Sequence, residues 1–308
     1  MKKTVRYISL VIIGLIVISV LFATIRRTLT NAQIAREAQV VPTSVPALEA
    51  TTRLEILPLY EEARSDESLE FGHGVSYLIR TDTATILMDL GNNPNEAAQV
   101  PALQNLQKLD ISWEEIDAIV ISHPHPDHVG GMKAWQNKTI SFGDFTGDLS
   151  RISIYAPIPM AYPGANIVYS SEPSLISADI ATTGVIPFPE VAALSLLNAK
   201  SYEQVVVIHI AGEGLVLITG CGHPTLETLV TRAEELFGEE VTGVVGGLHY
   251  GEASAADVQP HIQFLETRQP KLIALSPHDS ESETLAAFRS AFPESYREIK
   301  VGATIQFP

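Results

Sequence analysis

The chain opens on an apolar block and then changes character twice. Tyr7 to Ile25 is a run of nineteen uncharged residues, preceded by Lys2, Lys3 and Arg6 and closed by Arg26 and Arg27. At about 1.5 Å per residue, a helix of that length just crosses a hydrocarbon layer roughly 30 Å thick. Residues 28–52, with Pro42, Pro46 and no sustained period, read as a linker. From Arg53 short apolar runs alternate with Gly, Asn, Asp and Pro. Leu54–Leu59, Val75–Arg80, Thr85–Asp89 and Ile116–Ser122 are predicted strands, and Glu96–Leu109 a helix with apolar positions at Ala97, Val100, Leu103 and Leu106.

The second half alternates more regularly. Strands are predicted at Val205–Ile210, Leu215–Thr219, Val241–Val245, Lys271–Ser276 and Thr304–Phe307, with helices at Thr225–Phe237, Ala255–Thr267 and Glu283–Ala291. Strands first and strand–helix alternation afterwards, in both halves, predict an α/β chain with two sheets packed face to face and helices outside. Residues 137–200, broken by prolines and glycines, fit no single element and are expected to shape a substrate site.

Charge adds a location and removes a function class. Residues 1–27 hold five bases and no acids, so of the 20 bases and 36 acids the remainder carries 15 and 36, a net −21. A surface that negative repels phosphate backbones, which disfavours a nucleic-acid partner. The apolar run is long for a signal core, and Arg26-Arg27 stand where a cleavage site prefers small neutral residues. The expectation is an uncleaved single-pass membrane anchor over 1–27, a linker over 28–52 and a catalytic domain over 53–308. Bases before the run slightly outweigh those after it, placing that domain outside the cytoplasm; secretion after signal cleavage is the rival reading. Cys221 is the single cysteine, so no intrachain disulfide forms.

The strongest chemical signal is Ile119-Val120-Ile121-Ser122-His123-Pro124-His125-Pro126-Asp127-His128-Val129-Gly130-Gly131. A buried strand delivers three imidazoles and a carboxylate within six residues. In an extended segment His123 and His125 project to one side and reach one ion; Asp127 and His128, where the chain turns, reach a neighbour. Imidazole with carboxylate suits zinc, and also iron or manganese.

This spacing is the signature of the metallo-β-lactamase superfamily, which the sequence resembles from about residue 53 onward. Ile86-Leu87-Met88-Asp89-Leu90-Gly91 looks like its strand-end Asp-x-Gly, which implies that Asp89 orients the ligand loop without binding metal. Phe71-Gly72-His73-Gly74, Thr183-Gly184-Val185, Thr219-Gly220-Cys221-Gly222-His223, Gly246-Gly247-Leu248-His249 and Ser276-Pro277-His278 follow in the order of one branch. Its members are often labelled 7,8-dihydropterin-6-methyl-4-(β-D-ribofuranosyl)-aminobenzene-5'-phosphate synthases or metal-dependent hydrolases. The chain departs from that branch where Asp279-Ser280 stand in place of Cys-Thr.

The resemblance implies a four-layer αββα metallo-β-lactamase sandwich after the N-terminal transmembrane helix, and two divalent ions, zinc first. His223, His249 and His278 each follow a predicted strand, where ligands gather in open α/β sheets. We assign His123, His125 and His223 to one ion and Asp127, His128 and His278 to the other, with His249 a substitute for either downstream histidine or a substrate contact. His73 is a candidate pocket residue; His209 and His261 read as structural or exposed. Cys221 stands where many members have a bridging Asp, and is read as a small buried residue in a tight turn, with a thiolate ligand as the alternative. The expected reaction is hydrolysis of a small or lipid-like ester, lactone or phosphoester, with Asp127 handling the proton of the attacking water. A synthase or transferase, a di-iron oxidoreductase and a non-catalytic metal-binding protein are the alternatives.

Overall fold

The computed structural model describes residues 2–42, 45–169, 171–190 and 199–308. The first helix, α1 (Lys2–Ala38), runs on through 28–38, into the stretch that lack of periodicity marks as linker. Those residues contain no Gly or Pro and include Leu, Ala, Gln, Arg and Glu, all good helix formers, so propensity carries the helix where amphipathic period is absent. Large apolar side chains from Ile12 to Leu29 are exposed. By length and composition α1 is one helix able to cross a membrane, and an N-terminal signal sequence would pass the same test.

The chain divides into two compact units, Met1–Val40 with Pro187–Ser201, and Val41–Ile186 with Tyr202–Pro308. The second holds two sheets. One comprises β1 (Glu55–Tyr60), β2 (Ser76–Arg80), β3 (Thr85–Met88), β4 (Ala118–Val120), β5 (Ser153–Ala156) and β6 (Asn166–Tyr169), with β14 (Ile305–Gln306) beside β1. The other has β7 (Ile180–Thr182), β10 (Val206–Ile210), β11 (Gly214–Thr219), β12 (Val241–Gly246) and β13 (Leu272–Leu275), ordered β13-β12-β11-β10-β7. A separate ladder pairs β8 (Ile186–Glu190) with β9 (Ala199–Glu203). The further helices are α2 (Pro101–Lys108), α3 (Met132–Gln136), α4 (Leu226–Phe237), α5 (Gln259–Glu266) and α6 (Ser282–Ala291).

Period-two patterning explains the layers. Along β1 to β4, Ile56, Tyr77, Ile79, Ile86, Met88 and Val120 face the second sheet and meet Ile180, Val206, Ile208, Val216, Ile218 and Val245. The intervening Leu57, Leu78, Leu87 and Ile119 face outward onto Ala102, Leu103 and Leu106 of α2. Each such side chain, fully buried, contributes about 1.5–3 kcal/mol over leaving it in water. On the far side α4 packs on β11 and β12 through one buried stripe that includes Leu226, Leu229, Val230 and Ala233. The order helix, sheet, sheet, helix is the αββα arrangement expected.

Predicted and observed elements differ in places, and the helix expected from Ala255 begins at Gln259. The helix expected from Glu96 starts only at Pro101, whose ring fixes φ and suits a first helical position; Gln99 is still paired with Gly143. Residues 137–200 hold β5 to β8 and the start of β9, where no element is predicted. The hidden strands are three to five residues long, and β8 contains Pro187 and Pro189. Runs so short give no readable alternation.

Strand direction positions the site. β3 and β4 are parallel neighbours, as are β11, β12 and β13. Their carboxyl ends lead to Asp89, His123, Cys221 with His223, His249 and His278 respectively.

Candidate metal centre

Six predicted ligands converge, in two groups. One nitrogen from each of His123, His125 and His223 lies within 4.8 Å of the others, and the same limit holds for Asp127, His128 and His278. Within the first group Nε2 of His123 is 3.3 Å from Nε2 of His223. Two nitrogens bound to one tetrahedral zinc at about 2.0–2.1 Å stand about 3.4 Å apart, so this spacing fits an ion. In the second group Asp127 Oδ2 is 3.0 Å from His278 Nε2 and 3.9 Å from His128 Nε2. The donors therefore fit the ions that the sequence implies.

Hydrogen bonds fix which nitrogen two of the rings offer. Asp89 accepts from the Ser122 N–H at 2.7 Å, from the Ser122 hydroxyl at 2.6 Å and from His128 Nδ1 at 2.7 Å. That leaves Nε2 of His128 as the nitrogen turned toward the site. Because the Ser122 proton goes to Asp89, its oxygen is free to accept from His123 Nδ1 at 2.9 Å, again leaving Nε2 for a ligand role. Asp89 thus contacts His128 directly and reaches His123 through Ser122.

Three further acids support the other ligand loops, and sequence reasoning singled out none of them in this role. Glu203, fully buried, accepts from the N–H groups of Cys221 at 3.2 Å, Gly222 at 2.9 Å and His223 at 2.8 Å. Glu61, also fully buried, accepts from the Tyr77 and Ser276 hydroxyls, and the Ser276 hydroxyl oxygen accepts the His278 N–H. Asp279 accepts the His249 N–H at 2.8 Å. In sequence these acids stand at strand or turn ends, where solvated carboxylates are ordinary. Their one signal is proximity to apolar runs such as Val205–Ile210.

The electrostatics follow from burial and this acid set. Burial, reinforced by the charges of neighbouring imidazoles, holds His123 well below the usual histidine range and His223 at about 2, so both stay unprotonated. Burial also works against charge on His128, but Asp89 and Asp127 outweigh it and push the ring up to about 9. Burial opposes ionisation of Asp127 too, yet His128 and His278 hold its carboxyl below the ordinary range. Burial raises Glu61 and Glu203, and takes Asp279 up to about 7.

The remaining predicted residues fall as follows. Cys221 is buried in its turn, and its sulfur lies 3.2 Å from His128 Nε2; with His123 and His128 it forms a third three-donor group. His73 lies tilted against His278 with ring centres 4.0 Å apart and contacts Glu62 at 2.8 Å, and these three residues form a fourth three-donor group. His249 stands beside His223, centres 4.4 Å apart, but joins none of the three-donor groups found among the described residues. His261 contacts the Tyr250 hydroxyl, and His209 sits within β10, both away from the centre. A cavity of about 730 Å³ opens onto the site, lined by His73, His125, Asp127, His223, His249 and His278 among others.

The family model for the metallo-beta-lactamase superfamily matches residues 69–140, the segment that holds Asp89 and the 123–128 cluster. The fold is that of the metallo-β-lactamase superfamily. Over 269 residues the chain is 24% identical to a 7,8-dihydropterin-6-methyl-4-(beta-D-ribofuranosyl)-aminobenzene-5'-phosphate synthase of Methanocaldococcus jannaschii, covering 76% of this chain and 90% of that one. An uncharacterized protein of the same organism is 28% identical over 194 residues, 58% of this chain and 72% of its own. A metal-dependent hydrolase of the superfamily superposes with TM-score 0.61 at 19% identity, over 82% of this chain and 98% of that structure. The metallo-beta-lactamase fold protein YhfI from Bacillus subtilis gives TM-score 0.52 at 11% identity, over 83% of this chain and 99% of that structure.

Proposed function

We propose that this chain is a metal-dependent hydrolase, with His123, His125 and His223 holding one divalent ion and Asp127, His128 and His278 a second. The observation that carries the reading is the pair of three-donor groups opening on one cavity. Zinc suits the donors, and iron or manganese share them. Such ions supply Lewis acidity, lowering the pKa of water toward about 7 and offsetting negative charge on a carbonyl or phosphoryl oxygen.

The chain's own residues do the rest. Asp127, kept ionised by its imidazole neighbours, receives the proton of the attacking water. Asp89 and Ser122 hold Nδ1 of His128 and of His123, which turns Nε2 of each toward the site. We take the substrate to be a small or lipid-like ester, lactone or phosphoester, for which a cavity of about 730 Å³ leaves room. Net charge argues against a nucleic-acid substrate. We read α1 as a membrane anchor with the catalytic domain outside the cytoplasm; α1 takes in residues 28–38 of the expected linker, and Thr51 near its far end bridges to Ile210 of β10.

A synthase or transferase using the same ligands is the second reading, favoured by the name of the archaeal relative. The full chain, purified in detergent, stripped and reloaded, decides between them. Two equivalents of metal per chain, largely lost in a His125→Ala/Asp127→Ala variant, together with turnover of an ester and phosphodiester panel in water alone, support the hydrolase. Two metals with turnover only when an organic co-substrate is added favour the synthase. A folded wild type that takes up no metal overturns both.

A further inference from the structure

His249 is set apart from the other histidines by its backbone. Its φ is +57°, a left-handed conformation that side-chain-bearing residues seldom adopt unless their surroundings impose it. Here the surroundings do impose it. Asp279 accepts the His249 N–H. The Thr219 hydroxyl donates to the Gly247 carbonyl at 2.6 Å, and the Gly247 N–H donates to the Gly220 carbonyl at 3.0 Å. A side chain on Gly247 would meet Asp279 Oδ2 at 2.3 Å, so only glycine lets this loop lie so close to the acid. Backbone strain held in place from several sides concentrates at functional sites, where it aims a group that would otherwise relax.

The ring aimed in this way lines the cavity beside His223 and stays outside the three-donor groups. We propose that His249 is a substrate-contacting catalytic residue, its ring N–H donating to the oxygen that gains negative charge during hydrolysis, and that Asp279 is the positioning residue that holds it there. The proposal rests on the hydrolase reading above for the identity of that oxygen. A neutral imidazole always carries one N–H, so the contact needs no change of protonation. No covalent bond forms to His249 and no proton is transferred from it. A donor aimed in advance at developing charge favours the transition state over the bound substrate, so its loss appears in kcat more than in KM.

The test uses the full zinc-loaded chain in detergent as wild type, His249→Ala, His249→Gln, Asp279→Ala and the His249→Ala/Asp279→Ala double variant. Zinc per chain, inorganic phosphate affinity by calorimetry, and kcat and KM on 4-nitrophenyl acetate and bis(4-nitrophenyl) phosphate are measured. The expected result is unchanged zinc in His249→Ala, phosphate binding weakened about tenfold and kcat lowered about 100-fold with little change in KM. His249→Gln recovers part of both. Asp279→Ala gives a smaller loss, and the double variant is no worse than His249→Ala alone, because the acid acts through the ring. Loss of a zinc equivalent in His249→Ala, or phosphate affinity and turnover equal to wild type, overturns the proposal. A wild type that hydrolyses neither ester but binds phosphate in a His249-dependent way sinks the hydrolase reading and leaves the contact standing.

Discussion

Nε2 of His123 and Nε2 of His223, a hundred residues apart in the chain, face each other at 3.3 Å. Both rings stay uncharged and share a hydrogen bond there, so a cation that replaces the shared proton is met by a lone pair from each. Zinc at about a thousand times its Kd should therefore stabilise the metal-free protein by about 4 kcal/mol per site, or roughly 10 °C in melting temperature. His223→Ala should remove at least half of that shift. Differential scanning fluorimetry with and without zinc measures it, and an equal shift in the variant would mean that His223 holds no ion.

Asp89 is fully buried and bound to both His128 and Ser122. In Asp89→Asn an amide N–H would confront the His128 Nδ1–H or the Ser122 donors. Metal affinity should fall about 10- to 100-fold, the usual cost of losing a group that orients a ligand. Competition with a chromophoric chelator reads this directly, and an affinity within twofold of wild type would argue that the loop orients itself.

Glu203 satisfies three successive N–H groups of the 221–223 turn. Glu203→Ala strands all three in a buried place, at about 1 kcal/mol or more each, so roughly 3 kcal/mol of stability should be lost. Glu203→Gln keeps one acceptor and should lose less. Urea midpoints on metal-free protein separate this effect from metal binding; equal midpoints in wild type and Glu203→Ala would show that the turn finds other partners.

Without metal, stability should fall as pH rises from about 6.5 to 9. His128 has a folded value of about 9, above its ordinary 6.5, so the native state binds that proton more tightly than the unfolded chain. The stabilisation is complete below about 6.5 and gone above about 9, and spans roughly 3 kcal/mol. Asp279, raised to about 7, acts in the same direction at the lower edge of the window, whereas His223, depressed to about 2, acts against it there, its effect ending once the unfolded chain's histidine has titrated just above 6.5. Urea midpoints at pH 6.5 and 9 after chelation test this; a flat profile would remove the Asp89–His128 pairing as its source.

The candidate ligands were legible because His123, His125, Asp127 and His128 crowd into six residues behind an apolar strand. The distant histidines were legible because each follows such a strand, and parallel neighbours bring strand ends to one edge. The acids beneath them were not. Glu61 and Glu203 are single carboxylates whose burial depends on loops far away in sequence: Ser276 for one, Cys221 to His223 for the other. Nothing local distinguishes such a residue from a solvated one. The strands between 137 and 200 escaped for a related reason, since their partners and not their own alternation define them; β6 is half-exposed along its length. The helical run past Ile25 shows the reverse case, where residue preference alone continued an element that pattern did not mark.

The 123–128 loop leaves one sheet, while His223 and His278 leave the other. An ion held as proposed would tie the two halves of the sandwich at a single edge, as a clasp joins two covers. Opening the sandwich there would separate donors that the chain keeps a hundred or more residues apart, so cation loss and parting of the sheets become one event. Resistance to proteases in a chelator-rich medium would then report on the chemistry of the site as faithfully as turnover does.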